Sequence, residues 1–190
     1  MMDDSTWNAN TALRADPPAK AASREAGAQG TGATGAGAQI GDQSMAFTAR
    51  RATLDEIFQV RWDVLRPNRP RERAQFPGDD DPRTIHTGAF DTETGRNIAC
   101  ATLTRVDWLG KPAWQLRGMG VVKAYQGKGV GQRLLSTLEE LARGASEIPL
   151  LWCNGRKEAL GFYEKLGWVV ASEEFVVEDV GPHFKMTRKL

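Results

Sequence analysis

The stretch that decides the fold runs from an apolar segment through alternating glycines into an amphipathic segment: Met119-Gly120-Val121-Val122-Lys123-Ala124-Tyr125-Gln126-Gly127-Lys128-Gly129-Val130-Gly131. Glycines carry no side chain, so successive backbone N–H groups can face an anion. Lys128 adds a positive charge, and the following helix contributes the positive end of its dipole. The pattern therefore predicts a strand, a phosphate-binding loop and a helix.

The spacing of these glycines excludes the two commonest phosphate loops. A P-loop has Ser or Thr directly after its Gly-Lys pair, whereas Gly129 follows Lys128 here. A dinucleotide-binding loop has the order G-x-G-x-x-G, so a nucleotide-binding protein conflicts with the spacing. The segment from Gln126 to Gly131 instead resembles the Q/R-x-x-G-x-G/A signature of GNAT-type N-acetyltransferases, which bind the pyrophosphate of acetyl-CoA. A plain tight turn is the alternative interpretation of the loop.

Two further segments resemble the same superfamily. Residues 159–168 are similar to the A-x-x-F-Y-E-K-L-G-F/W element, and they include Phe162-Tyr163-Glu164-Lys165-Leu166-Gly167. Residues 181–186 resemble the closing strand of many small GNAT enzymes. The resemblance extends over about residues 46–190.

This resemblance implies an acetyl-CoA-dependent N-acetyltransferase that acts on a primary amine, with a small molecule as the expected acceptor. It also implies that the backbone at Met119 and Val121 binds the pantetheine arm. Many relatives have an Asn where this chain has Arg156, so Asn154 is expected to take over that contact. The cofactor-binding residues expected in full are Met119, Val121, Gln126, Gly127, Lys128, Gly129, Val130, Gly131 and Asn154.

The same resemblance makes Tyr163 the candidate catalytic residue, placed beside the leaving sulfur. Reference pKa values of about 10 for tyrosine and 8.5 for a thiol make proton donation uphill by about 2 kcal/mol. A strong hydrogen bond to the thiolate and formal acid catalysis therefore both stay open. A structural aromatic residue beside Phe162 is the alternative.

The general base is not identified by the sequence. Some relatives carry a Glu on the strand before the loop, but residues 114–117 offer no carboxylate. A water chain is one proton route, and the side-chain candidates are Glu72, His86, Asp107 and His183. Because no Cys or Ser stands in a recognisable nucleophile arrangement, direct attack by the amine in a ternary complex is expected. A catalytically weak acyl-CoA-binding module, acting as a sensor or structural subunit, is the alternative function.

The resemblance implies that residues 62–84 form the wall of the acceptor site. This segment is unusually charged. Four arginines precede three aspartates in this segment: Arg66, Arg69, Arg71, Arg73, Asp79, Asp80 and Asp81. The aspartates would attract a cationic amine, whereas the arginines would bind a carboxylate or a phosphate. A solvated loop with mutually neutralising charges is the third interpretation.

Hydrophobic periodicity predicts the order β-α-β-β-β-α-β-α-β-β along the domain. Thr53 and Glu56 predict a capping box, and Gly118 and Gly120 predict a bulge in the fourth strand. Gly144 is expected to end the second helix, and Asn154-Gly155 is expected to form a turn. This order is the order of the GNAT fold, so the resemblance implies the class α/β (α+β), with a mixed, mostly antiparallel, twisted sheet of about seven strands and about four flanking helices.

The composition limits location and partners. A formal net charge of +1 gives no electrostatic reason to expect nucleic acid or an anionic membrane as a partner. Cys100 and Cys153 lie in apolar runs, so we expect reduced core residues, and no metal-ligand cluster is recognisable. We expect a cytoplasmic monomer or homodimer, without a metal, whose partners are acetyl-CoA and an amine acceptor.

The first 44 residues differ from the rest in being rich in small and polar residues. A segment with so few large apolar side chains cannot offset its ordering entropy. Residues 1–44 are therefore expected to be a disordered tail, with a binding segment as the alternative, and residues 45–190 the acetyltransferase domain. Asp3 and Asp4 stand where a signal peptide would be basic, which argues against secretion. Met45 is a hypothetical natural start of translation.

Overall fold

The computed structural model describes residues 46–190, so the predicted tail lies outside the described residues. The strands and helices are β1 Phe47–Ala52, α1 Leu54–Leu65, β2 Ile85–Asp91, β3 Asn97–Arg105, β4 Trp114–Val121, α2 Val130–Ala145, β5 Leu150–Arg156, α3 Leu160–Lys165, β6 Val169–Val170, β7 Phe175–Val177 and β8 Gly181–Lys189. Short 3-10 turns precede β2, α2 and α3.

The predicted α/β class is confirmed, with small differences in the number of elements. The sheet has eight strands in the order β1-β2-β3-β4-β5-β8-β6, and β7 also pairs with β8. The single strand predicted directly after the third helix is divided into β6 and β7, and the described residues contain three α-helices rather than about four. The pair β4 and β5 is parallel and the other described pairs are antiparallel. The connection through α2 accounts for this, because parallel neighbours need a crossover.

Helices cover both faces of the sheet. One core cluster lies under α2 and α3 and includes Leu134, Leu138 and Cys153. A second cluster lies under α1 and joins Ile57 and Val60 to Cys100. Both cysteines are buried and unpaired, as predicted, and burial raises the pKa of both thiols to about 12.

The capping box predicted at the start of α1 is present. The Thr53 hydroxyl accepts from the Glu56 N–H at 3.3 Å, and the Glu56 carboxylate accepts from the Thr53 N–H at 2.7 Å. The predicted end of α2 at Gly144 is wrong, because the helix continues to Ala145. A glycine inside a helix costs only about 1 kcal/mol relative to alanine, so it did not terminate the helix.

The turn predicted at Asn154-Gly155 is also wrong. Both residues lie within β5, whose pairing with β8 continues to Arg156. A Cβ atom at Gly155 would lie 3.0 Å from the sulfur of Met186. The glycine therefore permits close packing inside the sheet, and strand pairing overrides the local turn signal.

Candidate functional site

Strands β4 and β5 separate partway along their length. Their parallel pairing extends only from Trp114–Leu151 to Leu116–Cys153. Beyond this point β4 stays paired with β3, and β5 stays paired with β8. This leaves an open gap between the edges of β4 and β5, which we call the wedge. Its apex lies at Leu116 and Cys153.

A bulge in β4 lies just past the apex of the wedge. Cys100 of β3 pairs with Gly120 and Thr102 pairs with Arg117, so β4 has one more residue than β3 between these two pairs. Gly118 within this bulge has a φ of 60°, a left-handed conformation that favours glycine. The glycines of β4 thus mark a bulge, as the sequence predicted, and the bulge turns β4 away from β5.

The backbone of Met119 and Val121 faces the wedge. Gly120 pairs with Cys100, and the Val122 N–H donates to the Ile98 carbonyl at 2.9 Å. Because successive residues of a strand point their backbone groups to opposite edges, the residues on either side of Gly120 point towards β5. The side-chain amide of Gln126 donates to the Val121 carbonyl at 2.9 Å.

The glycine loop follows directly and is exposed from Gln126 to Gly129. Gly127 and Gly129 have φ angles of 74° and 79°, and a Cβ atom at either position would meet nothing within 4 Å. Gly129 is the N-cap of α2 without a side-chain cap. The first N–H groups of a helix have no partner within it, so the loop presents donors and a positive dipole end to open space.

The two motifs of the sequence contact each other at Gly131. A Cβ atom there would lie 3.4 Å from two ring carbons of Phe162 and 3.6 Å from the terminal methyl of Met119. These are ordinary van der Waals distances, so α2 and α3 pack closely at Gly131 and a side chain longer than that of alanine would crowd its neighbours. This contact places the start of the helix after the loop beside the second motif.

Tyr163 lies next to the same part of β4. Its hydroxyl donates to the sulfur of Met119 at 3.8 Å, and its ring packs edge-on against Phe162 and Trp168 with centroid distances of 5.2 and 5.4 Å. Burial raises the pKa of Tyr163 well above its usual range. The structure thus brings together Tyr163, the wedge edge at Met119 and the start of α2.

Asn154 stands apart from that group. It is the first residue of β5 past the apex, is exposed, and lies opposite Lys185 of β8. Side chains alternate along a strand, so Asn154 faces the side of the sheet away from Cys153, which packs with Tyr163.

The four base candidates do not converge on the wedge as a group. Glu72 and Asp107 are exposed, Glu72 in the 3-10 turn before β2 and Asp107 after β3. His183 is buried, with its Nδ1 2.8 Å from the Gly181 carbonyl. His86 belongs to a buried polar network, where burial, and to a lesser degree the charge of Arg61, lower its pKa.

That network was missed by the sequence analysis. Arg61 is fully buried and forms an ion pair of 2.6 Å with Asp79. The same guanidinium donates to the Thr102 hydroxyl at 2.6 Å, and His86 Nδ1 lies 2.9 Å from that hydroxyl. The available signal was the position of Arg61, which lies four residues after Ile57 and four before Leu65 on the core-facing side of α1.

The charged segment before β2 is organised by specific contacts. Asp79 is buried against Arg61, and Asp81 is paired with Arg83 at 2.6 Å. These two aspartates therefore do not match the predicted role of attracting an amine. Three of the four arginines contact other partners: Arg69 lies 3.3 Å from Asp179, Arg71 lies over the rings of Phe58 and Trp62, and Arg66 lies over the ring of Phe76.

Within residues 46–190, no helix has both the length and the apolar character needed to cross a bilayer. Across the same residues, no group of three or more His, Cys, Asp or Glu side chains could hold a metal ion.

Comparison with known proteins gives one family. The chain is 29% identical over 140 residues to YitI of Bacillus subtilis strain 168, an uncharacterized N-acetyltransferase, with 73% of this chain and 93% of YitI aligned. Solved structures share the fold. A GCN5-related N-acetyltransferase from Kribbella flavida matches with a TM-score of 0.57 and 19% identity, over 76% of this chain and 98% of that one.

An aminoglycoside 6'-N-acetyltransferase complexed with coenzyme A also matches, with a TM-score of 0.57, 15% identity and coverage of 75% and 96%. At such identities the likeness concerns the fold alone. The model of the acetyltransferase (GNAT) family matches residues 51–168, which is more than half of the sequence. By its sequence, and in agreement with its split sheet and glycine loop, this chain belongs to the acetyltransferase (GNAT) family.

Proposed function

We propose that the protein transfers the acetyl group of acetyl-CoA to the primary amine of a small molecule, by direct attack in a ternary complex. The observation that carries this proposal is the wedge between β4 and β5, which has the glycine loop at its open end and Tyr163 beside Met119. Family membership supports the acyltransferase class, and a structural neighbour complexed with coenzyme A supports the choice of donor.

The residues around the wedge fit an extended acyl-CoA. The loop from Gln126 to Gly131, with Lys128, offers backbone N–H groups and positive charge suited to a pyrophosphate. The wedge edge at Met119 and Val121 offers strand backbone that is not paired with β5 and is suited to the amides of a pantetheine arm. Asn154 would contribute from the β5 side. Acetyl-CoA supplies the activated acyl group, and a new C–N bond to the acceptor replaces its C–S bond.

Tyr163 is proposed to stabilise the leaving sulfur by a hydrogen bond. Its hydroxyl already donates to a sulfur atom, that of Met119, at 3.8 Å. Burial raises the pKa of Tyr163, so complete proton transfer to a thiolate costs more than the roughly 2 kcal/mol expected from reference values. A retained proton at the tyrosine oxygen therefore fits better than formal acid catalysis.

The acceptor amine must lose a proton before it attacks. A primary amine with a pKa near 10 is mostly protonated at neutral pH, and deprotonation costs about 4 kcal/mol. Strand β4 carries no carboxylate, and His86 is held in the Arg61 network. We propose that solvent takes the proton and that the enzyme selects the neutral amine.

The same observations favour a second candidate function. A GNAT domain without a carboxylate on β4 would serve as an acyl-CoA-binding module that turns over slowly or not at all. It shares the donor site with the first proposal and differs from it only in the absence of thioester consumption.

Calorimetry with acetyl-CoA tests the donor site. Gly129→Asp and Gly129→Asn form a matched pair, because both residues tolerate a left-handed backbone and they differ in charge. We expect micromolar binding by the wild type, and at least a tenfold weaker affinity for the Asp variant than for the Asn variant. A negative charge at the helix start would compete with a pyrophosphate. Gly144→Asp, near the other end of α2, is the control and should bind like the wild type.

Acetyl-CoA hydrolysis and acetylated products are then measured with a panel of amines. Product formation supports the transferase, whereas tight binding without thioester loss favours the binding module. No binding to the wild type would mean that the loop is only a turn, and both functions would be abandoned.

A further inference from the structure

Gln115 lies in β4 one residue before the apex of the wedge. Its two neighbours in the strand, Trp114 and Leu116, are buried in the core cluster that also contains Tyr163. Side chains alternate along a strand, so Gln115 points to the opposite face of the sheet. Gln115 and Tyr163 therefore lie on opposite faces of the sheet beside the same opening, and an amine that attacks from the side away from Tyr163 would meet Gln115.

Strand pairing fixes what lies beside Gln115. It pairs with Thr104 of β3 and with Trp152 of β5, and paired residues have their side chains on one face. Trp152 is buried, and its indole N–H donates to the Val106 carbonyl at 3.0 Å. A Cβ atom at Gly78 would lie 3.9 Å from the methyl group of Thr104. The charged segment before β2 thus borders the same row of side chains.

Two polar side chains in this row lack hydrogen-bond partners among residues 46–190. The Thr104 hydroxyl is buried without one. The half-buried side-chain amide of Gln115 makes no hydrogen bond to another described residue. Polar groups inside native proteins nearly always have a partner. The amide of Gln115, next to the opening of the wedge, is therefore available to a bound molecule.

Charged side chains from four elements lie on this face of the sheet: Arg61, Asp79, Arg117 and Lys185. Each has contacts of its own: Arg61 pairs with Asp79 at 2.6 Å, Arg117 donates to the Pro77 carbonyl at 3.0 Å, and Lys185 Nζ lies 5.5 Å from the ring centroid of Trp108. Gln115 adds an uncharged hydrogen-bonding group beside them.

We propose that the side-chain carbonyl of Gln115 accepts a hydrogen bond from the acceptor amine and directs the nitrogen lone pair at the acyl carbon. The proposal rests on the acetyltransferase function proposed above and names a residue of its acceptor site. The nitrogen forms the C–N bond, and the thiolate leaves with the electron pair of the C–S bond. One proton leaves the ammonium form before the attack, a second leaves the nitrogen as the amide forms, and both go to solvent.

An uncharged acceptor atom suits an enzyme that selects the neutral amine. A carboxylate at this place would favour the protonated amine, because a nearby opposite charge raises the pKa of an ammonium group. A carboxamide accepts from an N–H bond without adding a charge. Gln115 thus orients the amine without holding its extra proton.

The pH profile of Gln115→Glu tests the position of this side chain. Without a base, wild-type kcat/KM should rise about tenfold per pH unit below the pKa of the amine, because only the neutral amine reacts. A carboxylate in contact with the amine would bind the ammonium form and take its proton. Gln115→Glu should therefore give a nearly flat profile between about pH 6 and 9. Gln59→Glu, on the exposed side of α1, is the control and should keep the wild-type slope.

Gln115→Leu removes the hydrogen bond at similar side-chain size. We expect kcat/KM for the amine to fall roughly three- to tenfold, the range for one neutral hydrogen bond. Acetyl-CoA binding in calorimetry should stay within about twofold of the wild type, which also shows that the variant is folded. Gln59→Leu is the matched control and should change neither measurement.

Four results would overturn the proposal: a wild-type profile that is already flat, a wild-type slope in Gln115→Glu, an unchanged kcat/KM in Gln115→Leu, or an equal loss of acetyl-CoA affinity in that variant. If acetyl-CoA binds and amines are acetylated alike by the wild type and both variants, only this inference fails. Binding of acetyl-CoA without transfer to any amine would overturn it and favour the binding module. If acetyl-CoA does not bind, the proposed function fails with it.

Discussion

Gly131 lies against the ring of Phe162, so that a Cβ atom on the glycine would stand 3.4 Å from two ring carbons. The contact joins the helix after the glycine loop to the helix that carries Tyr163. It gives Gly131 a packing role in addition to the loop geometry supplied by Gly127 and Gly129. The donor loop and the tyrosine are thus positioned by one interface.

Enlarging Gly131 should disturb that interface. Gly131→Val adds two methyl groups beyond a Cβ that would already be in van der Waals contact with Phe162, and overpacking of this kind costs about 1–3 kcal/mol. We expect this loss in urea unfolding, together with a reduced kcat because Tyr163 follows Phe162 directly. Phe162→Leu in the same chain should recover part of the stability. A Gly131→Val protein as stable as the wild type would contradict the packing role.

Removal of the Tyr163 hydroxyl tests the proposed hydrogen bond to the leaving sulfur. Tyr163→Phe should lower kcat by about 10- to 100-fold, the loss of roughly 1.4–3 kcal/mol of transition-state stabilisation. Folding stability should change little, since the hydroxyl makes a weak bond to the sulfur of Met119 at 3.8 Å.

The pH profile separates the two possible roles of Tyr163. Because burial raises its pKa, the hydroxyl keeps its proton throughout the range in which the enzyme is assayed. The ratio of wild-type to variant kcat should therefore be constant between about pH 6 and 9. A ratio that falls towards one at high pH would indicate that Tyr163 titrates there, and an unchanged kcat would remove its catalytic role.

The buried pair of Arg61 and Asp79 should dominate the stability of the segment before β2. Asp79→Asn keeps an acceptor for the Phe76 N–H but leaves the Arg61 charge buried without its partner, which costs about 3–5 kcal/mol. Urea unfolding measures this loss. Asp81→Asn is the matched control, because Asp81 pairs with the exposed Arg83, and exposed pairs contribute only about 0–1 kcal/mol.

A double-mutant cycle with Arg61→Met tests the pairing directly. The double variant should be less destabilised than the sum of the single variants by about 1–3 kcal/mol, because it no longer contains an unpaired buried charge. Additive losses would show that the two side chains act independently.

Local sequence signals were sufficient for the glycine loop and for the bulge that precedes it. Glycine permits a positive φ whatever its tertiary context, and inside a strand it often indicates a bulge. The loop and the bulge at Gly118 were therefore predictable. The resemblance of residues 159–168 to a family element placed Tyr163 after the fifth strand, and the structure has it in α3. The prediction of a turn at Asn154-Gly155 was wrong because the pairing of β5 with β8 outweighs the weak turn preference of this dipeptide.

The contacts of the charged segment before β2 could not be predicted in the same way. Arg61 occupies a core-facing position of α1, but its partner Asp79 comes from an irregular segment that has no periodicity to place it. The sequence showed clustered charges before β2 and left their roles open. Only the three-dimensional contacts show that Asp79 pairs with the buried Arg61 and that Asp81 pairs with the exposed Arg83.

The pH dependence of stability should report on His86. Burial lowers its pKa in the folded protein, so the unfolded chain binds more protons between the folded value and the ordinary value near 6.5. The contribution of neutral His86 to folding stability is therefore fully present above about pH 6.5 and is lost as the pH falls. Urea unfolding between pH 5 and 7.5 should show stability rising with pH.

His86→Gln should flatten this slope while lowering stability at every pH, because it disturbs the contact with Thr102. His183→Gln, which alters the protein's other histidine, is the control for the slope, and a slope unchanged in His86→Gln would assign the pH dependence to other groups.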